Sequence, residues 1–233
     1  MRYEYLWQQK IEDVFQKFLA GEDPPPNHEW DRFEEGVTEP TLEAFERQIM
    51  KYKRLEEQVK DMPTSKVIGW LKIDAKQLKS SLATLISKWS FKFLEYLLEK
   101  VQHETDEITV FVEEVDQKLD IEVNNELDPL LEVMDNLTKI RKRTDATDAM
   151  FEPLRQTCTM LRKYNITIDD KVINDLESAP GKWNSLKKKS VLTKEMHSQA
   201  QTEEANKIKK QSKVFEERVA EFFTNFKQVM PFQ

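Results

Sequence analysis

Glycine is scarce: Gly21, Gly36, Gly69 and Gly181 are the only four in 233 residues, against a usual share of about 7%. Glycine supplies the positive-φ positions that tight turns need. A chain this poor in it cannot build many hairpins, so a β-rich fold is not expected. Cysteine is scarcer still. The single Cys158 leaves no internal disulfide framework and fits a reducing compartment; its expected place is a small buried apolar site. No stretch approaches 18 apolar residues, so no membrane-spanning helix is expected. Residues 1–16 carry charge throughout and lack an apolar core segment, so no signal peptide is expected either.

Charge is what the chain has in abundance. Asp, Glu, Lys and Arg make up 34% of it, with a net charge of −7, as suits helices with large solvated faces. The distribution is uneven. Residues 1–60 carry −5, residues 61–137 carry −8 and residues 138–233 carry +6. Residues 104–135 hold twelve carboxylates and one cation, Lys118. Such an acidic front and basic back can pair. Part of the acidic stretch, with Glu113, Glu114 and Asp116 in it, is expected to meet a basic surface on the last helix or on a neighbouring subunit.

The nine prolines punctuate the chain, because proline lacks an N–H and clashes with the preceding helical turn. A first helix is expected over residues 3–20, with Trp7, Ile11, Val14 and Phe18 on one face and Leu6, Phe15 and Leu19 widening it. Gly21 should end it, before an acidic extended linker around Pro24, Pro25 and Pro26. A second helix should start at Thr38 or Thr41, carry Leu42, Phe45, Ile49, Tyr52, Leu55 and Val59, and stop at Met62-Pro63. Residues 62–74 are apolar without helical spacing and should tuck against the bundle as an ordered loop.

A third helix is predicted over residues 74–119, roughly 65–70 Å at 1.5 Å per residue. That length predicts an elongated molecule. One seam is Leu78, Leu82, Leu85 and Trp89. The other is Phe91, Leu94, Leu98, Val101, Thr105, Ile108, Val112, Val115 and Leu119, a 3-4 alternation that points to coiled-coil-like packing. A fourth helix should begin near Asn124 or Asn125 with Pro129 in its first turn, bearing Leu127, Leu130, Leu131, Met134, Leu137 and Ile140. Pro153 should kink or restart the segment that runs to Tyr164. A short helix over 169–178, capped by Asp169 or Asp170, should precede a last helix over 180–229. That last helix carries Trp183 and Leu186 early, and Ile208, Phe215, Val219, Phe222, Phe226 and Val229 late.

The sequence carries no complete chemistry-bearing pattern. Gly181-Lys182 is followed by Trp183 and has Leu176 where a phosphate-binding loop needs glycine. None of His28, His103 and His197 has Glu three residues before it, as di-iron bundles require. Glu99 and His103 share a helix face, but one such pair is not a metal site. Cys158 has no local histidine to activate it. The aromatics fall on helical stripes, where they read as core. The basic clusters Lys139, Arg141, Lys142, Arg143 and Lys187, Lys188, Lys189, with Lys207, Lys209 and Lys210, could meet phosphate, but net acidity argues against a dedicated nucleic-acid binder. The first of these clusters is expected at a helix end. No catalytic, cofactor-binding or metal-ligating residue is assigned, and no cofactor, nucleic acid or membrane is expected.

Several segments together carry a resemblance. They are Phe151-Glu152-Pro153-Leu154, Leu161-Arg162-Lys163-Tyr164, Leu176-Glu177 with Pro180, and Trp183-Asn184-Ser185-Leu186-Lys187-Lys188. Upstream lie Phe45-Glu46, Pro63-Thr64-Ser65, Gly69-Trp70-Leu71-Lys72-Ile73-Asp74 and Lys88-Trp89-Ser90; downstream, Phe222-Phe223-Thr224-Asn225-Phe226 leads to Pro231-Phe232. In this order and spacing the chain resembles the tail of axonemal dynein heavy chains, just before their linker domain. The resemblance implies an all-α fold of elongated bundles with long antiparallel, spectrin-like or coiled-coil-like helices. It implies a non-enzymatic segment of an ATP-hydrolysing microtubule motor, located in the cytoplasm, the cytoskeleton and the axoneme of cilia and flagella. Its partners would be dynein intermediate and light chains and other heavy chains, with microtubules met only through a motor region absent here. The expected division is an N-terminal helix (1–20), a Pro-rich acidic linker (21–40), a bundle with a long central helix (41–149) and a bundle leading to the motor linker (150–233). Breaks at Pro63, Pro129, Pro153 and Pro180 would make bend points in a semi-rigid lever. The end at Met230, Pro231, Phe232 and Gln233 carries no obvious tail and suggests truncation. The rival is a free-standing spectrin-like scaffold or adaptor, which needs the same heptads and no motor.

Overall fold

The structure, a computed structural model, describes residues 3–21, 40–120 and 127–229. The expected acidic linker, His28, Thr38, Asn124 and Asn125 lie outside the described residues, and so do residues 230–233. The described residues form six helices and one hairpin: α1 (Tyr5–Gln8), α2 (Ile11–Leu19), α3 (Leu42–Asp61), β1 (Ser65–Ile68), β2 (Leu71–Asp74), α4 (Lys76–Leu119), α5 (Leu127–Lys163) and α6 (Asp170–Val229). The chain is an all-α protein of bundled helices, as the glycine count and heptad spacing predict. Its contacts divide it into two units: residues 1–105 with 152–173, and residues 106–151 with 174–233. Helices α4, α5 and α6 each supply residues to both.

In the first unit, the predicted single helix over 3–20 is two. Gln9 and Lys10 are extended between α1 and α2. The break frees the Leu6 carbonyl from its intrahelical role, and it accepts a bond from the indole N–H of Trp89 at 3.3 Å. The buried side chains are Leu6, Phe15 and Phe18, while Trp7 faces solvent. Gly21 takes φ 70 just past α2, the left-handed stop that glycine supplies.

Helix α3 starts as predicted: Thr41 Oγ1 accepts from the Ala44 N–H at 3.3 Å, and Phe45, Ile49, Tyr52 and Val59 are buried. Its last carbonyls are met by Lys79, whose Nζ donates to Lys60 and, at 2.8 Å, to Met62. Phe93 on α4 is the hub of the core. Its ring lies 5.2 Å from Phe15, 5.3 Å from Phe18, 6.4 Å from Phe45 and 5.9 Å from Tyr52.

Residues 62–74 are not a loop tucked against the bundle. They include an antiparallel hairpin with Ile68 opposite Leu71, turned on Gly69 at φ 62. A positive φ at the first of two turn positions is the glycine-specific hairpin connection. Every strand residue is exposed and Trp70 at the turn is 95% exposed. The reason is register: alternation splits the apolar residues between two faces, so neither face buries them all.

Helix α4 spans nearly the predicted length, with the Asp74 carboxylate accepting from the Lys76 N–H at 2.8 Å. Its seam is corrected in part at the N-terminal end. Trp89 and Leu94 are buried as predicted, but Leu78 and Phe91 are exposed, and Ile86, Phe93 and Leu97 face inward as well. From Val101 onward the predicted seam holds: Val101, Thr105, Ile108, Val112, Val115 and Leu119 are all buried.

Helix α5 is continuous through Pro153, and α6 through Pro180. Neither proline restarts a helix, and the separate 169–178 helix does not exist. A mid-helix proline loses one backbone bond and costs about 3 kcal/mol. Buried neighbours on both sides offset this: Phe151 and Leu154 around the first, Leu176, Ala179 and Trp183 around the second. The real stop is at Asn165, which takes φ 58. The Ile166 N–H bonds to the Leu161 carbonyl and the Asn165 N–H to that of Arg162, both at 3.0 Å. This is the left-handed helix cap that asparagine can form in place of glycine. Asp169 then caps α6 through the Lys171 N–H at 3.1 Å.

Candidate functional site

The residues that sequence alone raised for chemistry are scattered. Cys158 is buried, and burial pushes its thiol pKa up although Arg162 pulls it back. A thiol in that state is a poor nucleophile. Glu99 and His103 are exposed on α4. Among the described residues no group of three His, Cys, Asp or Glu could hold a metal. Gly181 sits inside α6, where a phosphate-cradling loop cannot form.

The basic clusters are largely engaged inside the second unit. Lys139, Arg141, Lys142 and Arg143 lie mid-helix in α5 and not at a helix end. Lys139 pairs with Asp135 at 2.6 Å along the helix. Arg143 pairs with Glu107 of α4 and lies over the Phe111 ring at 4.7 Å. On α6, Lys187 reaches Asp148 of α5 at 2.9 Å. Lys189 reaches Asp116 and Asp120 near the end of α4, each at 2.8 Å, and also the Asp116 carbonyl. Lys182 reaches Glu113 at 3.6 Å. So the acidic stretch does meet a basic surface, and in this chain Glu113, Asp116 and Asp120 meet it on the last helix.

The pairing fixes direction. Phe111 and Glu113 of α4 meet Trp183 and Lys182 of α6, while Asp116 and, just past the end of α4, Asp120 meet Lys189 further along α6, so these segments run parallel, with α5 between them in sequence. Asp148 joins α5 to α6. It accepts from Lys187 and from the buried Trp183 indole N–H at 2.8 Å. The lysine bond first, then the indole, hold its pKa below the usual carboxylate range against the opposing effect of burial. Burial acts to lower the Lys189 pKa, but its bonds to Asp116 and Asp120 outweigh this and raise it. Sequence reasoning missed the buried polar residues Asn136, Thr147 and Thr193 of this unit. Asn136 Nδ2 and Thr147 Oγ1 have no hydrogen-bond partner.

Two features are left open to solvent in the first unit. One is the hairpin. The other is a groove of about 560 Å³ between α2 and α4, floored by Ile11, Phe91 and Leu94 and rimmed by Lys53, Lys88 and Tyr164. In the second unit the distal part of α6 exposes Ile208, Phe215, Phe222, Phe223 and Phe226.

A helical protein built on long seams and crossed by charge pairs belongs to the class of coiled-coil helical-bundle proteins. The comparison with known families is specific. Residues 91–212 match the family described as dynein axonemal heavy chain 2/5/8 coiled-coil, and the chain belongs to the axonemal dynein heavy chains. It is 31% identical over 99% of its length to the dynein beta chain of the flagellar outer arm of Chlamydomonas reinhardtii, covering 6% of that protein. It is 31% identical over its whole length to human dynein axonemal heavy chain 9, covering 5% of it. It is 29% identical over 99% of its length to the ciliary dynein beta chain of Tripneustes gratilla, again covering 5%. The chain therefore spans about one-twentieth of the length of these relatives.

Proposed function

We propose that this segment is a mechanical element in the tail of an axonemal dynein heavy chain, ahead of the linker. It joins an N-terminal assembly and docking region to the ATP-driven motor of cilia and flagella. The observation that supports this is the uninterrupted run of α4, α5 and α6, of 44, 37 and 60 residues, each contributing to both compact units. Long packed helices carry load because many side chains must separate together. The segment itself performs no catalysis; ATP hydrolysis and microtubule contact belong to the motor region of the parent. Intermediate and light chains and other heavy chains are the partners expected along such a tail.

The test is a seam-breaking variant, Val112→Asp with Val115→Asp, in the full-length protein of a ciliated cell. Extracted motors should keep their ATPase rate and lose microtubule gliding under load. A loss of basal ATPase equal to the loss of gliding would overturn the lever reading. The up-down-up order of α4, α5 and α6 in the second unit also favours a spectrin-like scaffold. Purification of the tagged native protein separates the two: a scaffold would come free of any motor ATPase.

A further inference from the structure

The hairpin has two open edges. In an antiparallel pair, alternate residues turn their backbone groups inward and outward. The Ala75 N–H donates to the Thr64 carbonyl at 2.7 Å, and that bond sets the phase. Lys66 and Ile68 pair inward with Ile73 and Leu71, so Ser65 and Val67 turn their N–H and C=O groups outward. On β2 the outward groups belong to Lys72 and Asp74. Among the described residues there is no other strand, so neither edge is extended. A lone two-stranded hairpin is marginal in water, and the exposed Val67, Ile68, Trp70, Leu71 and Ile73 bury too little to make up the difference. The hairpin is also basic. Residues 62–79 hold Lys66, Lys72, Lys76 and Lys79 against Asp74 alone, in a chain of net charge −7. Asp74 is committed to the first turn of α4, and Lys79 to the carbonyls that end α3. Lys66 and Lys72 have no carboxylate partner among the described residues.

We infer that β1 receives a third strand, contributed by an acidic segment of another polypeptide. This rests on the reading of the segment as one to which other chains bind, and it gives the chemistry of one such partner. Adding a strand to an open edge is a common mode of peptide recognition. The strand joins β1 because β1 holds Lys66 and no carboxylate, whereas β2 ends in Asp74. A lysine on an open edge repels a basic strand and admits an acidic one. Lys66 and Ile68 share one face, two residues apart. The added strand therefore carries a carboxylate beside Lys66 and an apolar side chain beside Ile68. Two other occupants fit less well. A lipid surface would take the apolar residues and the lysines, but hydrocarbon cannot bond the outward N–H and C=O of Val67. A second copy, paired along Ser65 to Val67, would set Lys66 against Lys66.

The test places a photo-cross-linking p-benzoylphenylalanine at Trp70 in the tagged, full-length native protein. Irradiation should join it to a segment of another polypeptide in which apolar and acidic residues alternate. Val67→Pro should cut the yield more than about tenfold, because proline removes an outward N–H and leaves the inward ladder intact. Lys66→Glu should cut it about fivefold or more, and Lys66→Arg should spare it. The Lys66 pair decides the matter even where proline unfolds the hairpin. An adduct within the same polypeptide, with a second copy, with lipid or with nothing would overturn the inference. So would an adduct whose yield ignores Lys66→Glu. Motor ATPase is read on the same purified sample, so failure of the tail reading shows there and not in the adduct.

Discussion

The two compact units of this chain solve the same packing problem with different materials. The first relies on rings: Phe15, Phe18, Phe45, Tyr52, Trp89 and Phe93 meet edge to face or stacked. The second relies on aliphatic heptads, with Val112, Val115, Val133 and Ile140 buried, and on charge pairs that cross between helices. Short helices of differing direction meet at few points, and large shaped rings fill such junctions. Long helices lying side by side meet at many points, and their apolar stripes fit in more than one register. Charge pairs such as Lys189 with Asp116 and Asp120 penalise the wrong registers. The difference separates what holds a bundle together from what tells it how to align.

The largest effect should come from the ring cluster. Phe93→Ala removes the ring that touches four others, and large-to-small changes of this kind cost about 3–5 kcal/mol. Hydrogen exchange read peptide by peptide should show α3 and residues 86–97 losing protection, while residues 183–193 keep theirs. Equal loss in both regions would show that the units do not fold separately.

The next effect has the opposite sign. Asn136 is 2% exposed and its Nδ2 donor is unpartnered. A buried unsatisfied group costs about 1–3 kcal/mol, so Asn136→Leu should stabilise the second unit by about 1–2 kcal/mol and raise its melting temperature. A polar residue on a packed seam can specify register at the expense of stability. A lower melting temperature would mean that Asn136 is satisfied in solution.

Asp148 comes third. Asp148→Ala leaves the Trp183 indole N–H, on a side chain that is 0% exposed, without its acceptor. The expected loss is about 1–2 kcal/mol, seen as easier chemical denaturation of the second unit. The pH dependence follows from the depressed carboxyl. Its contribution is fully present above the unfolded value of about 3.9 and is lost as the pH falls through the lower folded value. Wild type should therefore weaken in acid below about pH 4, and Asp148→Ala should show less of that weakening. Parallel acid curves for the two proteins would remove the carboxylate from the account.

What the sequence made legible follows from how each feature is encoded. The Val101 to Leu119 seam was readable because seven-residue spacing survives a polar member, Thr105. The Thr41 cap was readable because a threonine before an amphipathic run has a local job. Asn136 and Thr147 were not readable, since a polar residue inside a polar stretch looks like surface until its neighbours are placed. The two helix-internal prolines misled for the same reason: whether flanking burial outweighs a missing backbone bond depends on tertiary contacts. The cap at Asn165 was hidden because asparagine only sometimes replaces glycine at a left-handed stop. The pairing of Asp148 with Trp183 and Lys187 was hidden because it joins residues 35 or more positions apart.

The smallest effect is the most direct test of alignment. Lys189 bridges Asp116 and Asp120, but both carboxylates are at least half exposed, and exposed pairs contribute about 0–1 kcal/mol after screening. Asp116→Lys with Asp120→Lys should thus cost the second unit less than about 1 kcal/mol at low salt, and less still at 1 M salt. Because the pairs raise the Lys189 pKa, their contribution is fully present below the usual lysine value of about 10.4 and is lost only as the pH rises through the raised value. A comparable reversal in the first unit, Glu46→Lys opposite Lys163, should have an equally small effect on stability. The two should part company in alignment. Disulfide trapping between cysteines placed at 112 and 183 should fall in the Asp116, Asp120 variant, as slipped registers become accessible. Trapping between 45 and 93 should stay unchanged in Glu46→Lys, because interlocked rings leave that junction no second register. Equal trapping losses would mean that charge pairs and rings share the task of alignment.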